Sequence, residues 1–301
     1  MPSVPASRAP VLTYRLDPST PSLALASGAC DAHVHVFGPA ARFPFSAQRH
    51  LTPVDAPKEA LFALHRKMGI ERCVIVQSVV HGLDNSVVED AIAAGGGRYL
   101  GVALAPLNVA DAELQRLARA GFRGLRFNFM KHLPGAVDPE QLIALTARLQ
   151  PLDMHLQVHF EPSLVHELAP IFARSRVPVM VDHMGRLDAA EGLAGRDLGG
   201  LEAMLRASSH IHLKVSGIDR IDAAGNRSGR YDAGIAIARH LLAQFPDRCV
   251  WGTDWPHPNM DPIPDDGVLV DALARIAPSA DLLRRVMVDN PATFYRFEDR
   301  T

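Results

Sequence analysis

The stretch CDAHVHV (30–36) sets two imidazoles two residues apart in a run otherwise made of small and β-branched residues. Seven further short apolar runs follow it: RCVIVQSV (72–79), RYLGVAL (98–104), RGLRFNF (123–129), MHLQVHF (154–160), VPVMVDH (177–183), HIHLKVSG (210–217) and RCVWGTD (248–254). Most are apolar at successive positions, as strands covered by helices on both faces must be. Helical patterns with readable ends run between them. Asp138 precedes Pro139 and EQLIALTARL, a capping aspartate with proline at the first helical position. Ser163 offers a cap to LVHELAPIFARS, with Pro170 expected to kink it. DAELQRLARAG stops at Gly121, YDAGIAIARHLLAQF and SADLLRRVMVDN follow, and Asn290 and Pro291 open a last short helix. Roughly eight strand–helix alternations in about 270 residues predict an α/β fold of the (β/α)8 TIM-barrel type. A doubly wound sheet is the alternative, but it would want a glycine-rich first turn, and HVFGPAARFPF is not one.

Composition narrows the function. The 301 residues are 48% hydrophobic, with 31 Lys and Arg against 33 Asp and Glu, a formal net charge of −2. Such a balance leaves no electrostatic footprint for nucleic acid or an anionic membrane. Anion binding must therefore come from a few placed arginines. Cys30, Cys73 and Cys249 lie far apart without a CxxC, which suits buried thiols in a reducing, cytoplasmic compartment. No apolar run is long enough for a membrane helix, and the Pro- and Ser-rich residues 1–28 lack a secretory pattern. We read 1–28 as an extended arm and 29–301 as one barrel domain. Oligomeric state is left open, a homo-oligomer included.

In a barrel, chemistry sits at the carboxyl ends of the strands. His33 and His35 close the first, Ser78 the second, His159 the fifth, His183 the sixth and Asp254 the eighth, with His257 and Asn259 in the loop beyond. The fourth supplies Arg123 and Arg126, then Lys131 and His132; the seventh supplies Lys214, then Arg220. A period of two sends His33 and His35 to one side of their strand. Imidazole nitrogen and carboxylate oxygen suit zinc, so His33, His35, His159 and Asp254 form a candidate set for one divalent ion. Such an ion would acidify a bound water, and a carboxylate would take the proton. Taken singly, each residue has an ordinary reading: a core histidine on a carbonyl, an aspartate in a turn, a salt-bridged arginine. His50, His65, His155, His166, His210, His212 and His240 sit away from strand ends and read as surface or structural.

DAHVHVFGP, VDHMGR and above all WGTDWPHPN resemble the amidohydrolase superfamily, in the branch that holds the 2-pyrone-4,6-dicarboxylate lactonases. The likeness runs from about Gly28 to the end of the chain and includes FPFS, VIVQS, HGLDN, GLRFNF and IPDDG. It implies a distorted (β/α)8 barrel that hydrolyses a carboxylated lactone in aromatic-compound catabolism. It also implies that Asp254 is the base for water and that His33, His35 and His183 polarise the carbonyl. Arg126 and Arg220 would clamp carboxylates, with Ser78, His257 and Asn259 near the substrate. Three positions depart from the branch pattern: Leu51 and His159 stand where it has tyrosines, and His132 where it has an arginine. The first and third changes remove donors for an acidic ring, which favours a 4-sulfomuconolactone-type substrate over the pyrone dicarboxylate. His159 restores the histidine that metal-dependent relatives carry, whereas the pyrone-dicarboxylate enzymes work without a metal. A metal-dependent decarboxylase of an unsaturated acid, a lactone isomerase and a non-catalytic binding barrel are the competing readings.

Overall fold

The computed structural model describes residues 9–130 and 137–297. Its eight strands are β1 (Cys30–Val34), β2 (Arg72–Val76), β3 (Tyr99–Ala103), β4 (Phe122–Phe129), β5 (His155–Phe160), β6 (Val179–Val181), β7 (Ile211–Lys214) and β8 (Cys249–Val250). They pair in sequence order, every ladder parallel. One principal helix follows each strand: Lys58–Met68, Ser86–Ala94, Asp111–Arg119, Pro139–Leu149, Val165–Phe172, Arg196–Ala207, Asp232–Gln244 and Asp266–Ile276. Parallel neighbours need such crossovers, and the outcome is the expected (β/α)8 barrel.

Asp138 caps its helix by accepting from Glu140 N, with Pro139 in the first turn. Ser163 does not cap; it lies inside a 3-10 turn, Pro162–Leu164, that leads directly into the next helix. The run SADLLRRVMVDN divides into an α-helix, Ala280–Arg284, and a wider π turn, Arg285–Asp289, before the last helix, Asn290–Tyr295. Residues 9–28 contain no helix; Ser19 is held by Asp265, and Ser22 and Leu23 by Asp271.

No ladder joins β8 to β1. Closure instead uses backbone bonds from β1 and the residue after it to the segment following β8: Ala32 N to Trp251 O (2.8 Å), Asp254 N to His33 O (2.8 Å) and His35 N to Trp255 O (2.7 Å). Buried Asp31 reinforces them, accepting from Thr253 N at 3.0 Å and Thr253 Oγ1 at 2.6 Å. Gly252 makes the approach feasible, since a Cβ there would sit 2.5 Å from His33 N.

The barrel interior is layered. Its floor is apolar, built from Cys30, Ala32, Val74, Val102, Met180 and Val250 and plugged by Tyr295 and Phe297. Above it β4 to β7 build a buried polar layer from Arg126, Gln157, Asp182 just past β6, and Lys214. The outer faces pack on the helices through residues such as Leu125, Val158, Val181 and Leu213.

Candidate active site

The site begins with an irregularity in β1. Cys30 and Ala32 belong to the floor cluster, whereas Val34 packs in the outer core. The β1–β2 register shifts between Asp31 and Val34, a bulge that changes which side chains face inward. His33 and His35 consequently both point at one carboxylate, their Nε2 atoms 3.6 and 3.4 Å from Asp254 Oδ1. His183 Nε2 lies 3.7 Å from Asp254 Oδ2.

Each ring is held from behind. Val76 O meets His35 Nδ1 at 2.7 Å, Ser216 Oγ meets His183 Nδ1 at 3.0 Å, and Asn128 Oδ1 meets His159 Nδ1 at 3.1 Å. His33 Nδ1 sits against Lys214 Nζ at 3.2 Å and Asp182 Oδ1 at 3.3 Å. Asp182 is the hub of the polar layer: its Oδ2 accepts from Arg126 Nε at 2.8 Å and Gln157 Nε2 at 3.1 Å, and its Oδ1 lies 3.4 Å from Lys214.

The protonation states follow from this packing. Burial, with Lys214 adding to it, lowers His33 to about 3. Burial also lowers His183 and His159 well below the usual imidazole value. All three are neutral at pH 7. Burial pushes Asp254 upward, but Arg220 and the surrounding imidazoles outweigh it and hold the carboxyl well below its usual range. Asp182 is likewise kept ionised by Lys214 and Arg126 against burial. Lys214 itself falls to about 8, burial being the main cause.

Asp254 opens onto a cavity of about 240 Å3. Arg126, Arg186 and Arg220 present three guanidiniums to it, alongside His35, His159 and His183. Arg220 Nε bonds Asp254 Oδ2, and its Nη1 donates to Pro258 O at 3.0 Å. The loops that shape the cavity are strained. Among the described residues, nine that are not glycine have positive φ, and six of them are His183, Met184, Arg186, Asp254, His257 and Asn259. Such conformations cost of order 1–3 kcal/mol each and cluster where a side chain must be aimed.

His33 Nε2 and Asp254 Oδ1 are buried and have no hydrogen-bond partner among the described residues. Ligand atoms of His33, His183 and Asp254 all lie within 4.8 Å of one another. Two neutral imidazoles and a carboxylate, with His35 Nε2 beside them, fit a divalent metal by donor type. His159 falls outside that group. Its Nε2 also lacks a partner, and its ring centroid is 5.8 Å from that of His183. His183, read from sequence as a carbonyl-polarising group alone, stands inside the metal-like group.

Other sequence expectations are redirected. Ser78 and Asn259 line the cavity. Arg123 does not; it is the second residue of β4, at the amino end and three positions before Arg126. That is about 10 Å of strand in the wrong direction. His257 is fully buried and bonded to Asp266 at 3.0 Å, so it anchors the loop bearing Asp254 instead of meeting substrate. Leu51 is half-buried and absent from the lining, whereas His50 lines the cavity and meets Asn259 Nδ2 at 3.1 Å. Lys131 and His132 lie outside the described residues. Arg186 was missed although it closes VDHMGR; its signal was a cation three residues after a strand-end histidine. Burial, followed by the charge of Arg220, lowers it to about 10.

A parallel eight-stranded barrel with an HxH at its first strand, a histidine at its sixth and an ionised aspartate at its eighth defines a hydrolase that activates water. The amidohydrolase family model matches residues 30–297, and the chain belongs to that family. It is 40% identical to a 2-pyrone-4,6-dicarboxylate hydrolase of Comamonas testosteroni, over 94% of this chain and 95% of that protein. It is 38% identical to a 4-sulfomuconolactone hydrolase of Rhizobium radiobacter, over 91% and 92%. A Pseudomonas putida structure described as a 2-pyrone-4,6-dicarboxylic acid hydrolase superposes with a TM-score of 0.78 at 28% identity, covering 92% of this chain and all of that one.

Proposed function

We propose that this chain opens the ring of a lactone bearing carboxylate or sulfonate groups, in the breakdown of an aromatic compound. The observation that carries the reading is Asp254, ionised, with Oδ1 uncommitted among imidazoles, in a cavity ringed by three guanidiniums. Guanidinium recognises carboxylate and sulfonate through paired N–H donors, and a small ring fills a space of this size.

Arg186 and Arg220 hold the acidic groups and Arg126 closes the far side. Water enters beside Asp254 Oδ1, which takes its proton as oxygen attacks the ring carbonyl. His183, whose other ring nitrogen meets Ser216 Oγ, faces the carbonyl oxygen as its charge grows. The ring C–O bond then breaks, and the proton held on Asp254 passes to the leaving oxygen, giving an open-chain acid. His33, His35, His183 and Asp254 would hold a divalent ion, zinc by donor type. When bound, such an ion polarises the carbonyl and acidifies water.

A 4-sulfomuconolactone-type substrate is the leading choice, because Leu51 and His132 stand where the resemblance to the pyrone-dicarboxylate branch implies a tyrosine and an arginine. The pyrone dicarboxylate is the second reading, favoured by the 40% identity to a hydrolase of that compound. Both lactones should be assayed by pH-stat, with and without added zinc, using wild type and Asp254→Asn. Ring opening releases acid, and the variant should lose 100-fold or more in kcat, about the contribution of a placed base. Unchanged turnover in the variant, or CO2 release in place of acid, refutes the proposal.

A further inference from the structure

A second and larger cavity, about 570 Å3, adjoins the reaction cavity. Val79 and Arg126 line both, so the two spaces share a wall. The larger one lies in the ordinary range for small-molecule pockets, roughly 300–1000 Å3. Nothing in the ring-opening chemistry uses it.

Its chemistry differs from that of its neighbour. Leu83, Leu104, Pro106, Leu107, Phe127 and Val137 supply apolar walls from the loops and ends of β3 and β4. The polar lining is mostly neutral, Gln48, Asn108 and Gln141 among it. Arg126 is the one charged residue among the described lining residues. Its Nε is bonded to buried Asp182 at 2.8 Å, so its charge is already balanced from inside. Leu83, at this cavity, is 59% exposed. Among the described residues an anion would find a cation here only on the side facing the reaction cavity, whereas an apolar group would find contact on most sides.

We propose that this cavity is a substrate subsite that takes an uncharged apolar arm, alkyl or aryl, attached to the lactone ring and directed past Arg126. The inference rests on the lactonase reading and extends it. Arg186 and Arg220 hold the acidic ring, Arg126 stands between the two spaces, and the arm lies against Leu104, Leu107 and Phe127. Selectivity then has two parts: charge fixes the ring for attack, and the arm decides which ring is preferred. Each methylene buried should improve kcat/KM about four-fold until the space is filled.

The test is a series of carboxymethyl butenolides carrying hydrogen, methyl, butyl or phenyl on the ring. Steady-state kinetics would be measured with wild type, Leu107→Trp and Asn108→Trp. Asn108 is exposed, so the second variant keeps the test open should the first fail to fold. The expected result is a rise of ten-fold or more in kcat/KM from the parent to the butyl and phenyl compounds. The tryptophan variants should abolish that rise and leave the parent unchanged. No gain with the longer arms, or an equal loss on every member, overturns the subsite. If wild type opens no member, the lactonase reading fails separately, and calorimetry decides the subsite: tighter binding of the phenyl compound than of the parent supports it, and equal affinity overturns it.

Discussion

Asp182→Asn tests the polar layer beneath the reacting groups. The substitution keeps the shape of the side chain and removes its charge. Arg126 (2.8 Å), His33 (3.3 Å) and Lys214 (3.4 Å) then lose the carboxylate they share. Breaking a buried ion pair by deleting one partner costs about 3–5 kcal/mol. Two cations are stranded here, but they differ. Arg126 cannot shed its proton. Lys214 titrates at about 8, so reaching the neutral form at pH 7 costs only about 1–2 kcal/mol. The total therefore stays near ~3–5 kcal/mol. At roughly 2–4 °C per kcal/mol for a large domain, the melting temperature should fall by about 6–20 °C. The sign of its pH dependence follows from the lysine. In wild type at pH 9 Lys214 is mostly neutral and gains little from Asp182, so the deficit of the variant should shrink by about 1 kcal/mol between pH 7 and 9. Calorimetric or circular-dichroism melts at both pH values measure it. A variant melting within about 2 °C of wild type at pH 7, or a deficit that widens at pH 9, refutes the account of the layer.

Arg186→Met should raise KM for an acidic lactone by about 10- to 100-fold, the worth of one charged hydrogen-bond partner, and leave KM for its neutral methyl ester little changed; steady-state kinetics on the pair reads it. Acid should destabilise the fold early. His33 and His155 are lowered to about 3 and His212 to about 4, burial being the first cause in each. The unfolded chain takes up protons on these imidazoles below about 6.5 while the folded chain does not, so stability falls as pH drops from 6.5 toward 4. Urea midpoints at pH 7 and pH 5 should show it, and equal midpoints would count against neutral buried rings. Protein purified without chelator should carry close to one divalent ion per chain and lose turnover on chelation. Full activity with far less metal, by elemental analysis, would leave His33, His183 and Asp254 acting as proton donors and acceptors alone.

The strands were legible because parallel barrel strands are covered on both faces and so read as short apolar runs; all eight lie where those runs fall. Asp254 and His183 were legible as polar residues closing such runs. The direction of His33 and His35 was less so. Inward-facing Cys30 and Ala32, continued at a period of two, would turn both imidazoles toward the helices, and only the bulge in β1 brings them in. The interior layer of Arg126, Gln157, Asp182 and Lys214 was hidden for a related reason: each is one polar residue in a separate run, and their meeting is a fact of register between strands. Arg123 shows the converse error, since a polar residue at the wrong end of a strand carries the same symbol. His50 and Arg186 reach the cavity from loops, whose paths no periodicity encodes.

The barrel is stitched shut at the same few peptides that bear the chemistry. His33 and His35 stand on one lip of that seam and Asp254 on the other, linked by three backbone bonds and by Asp31 where every other neighbouring pair of strands has a ladder. A gap of an ångström there would separate Asp254 Oδ1 from the imidazoles of His33 and His35 while the remaining seven joints stayed closed. Warming should thus silence the enzyme before it melts, with turnover fading at temperatures where the helical signal is still intact.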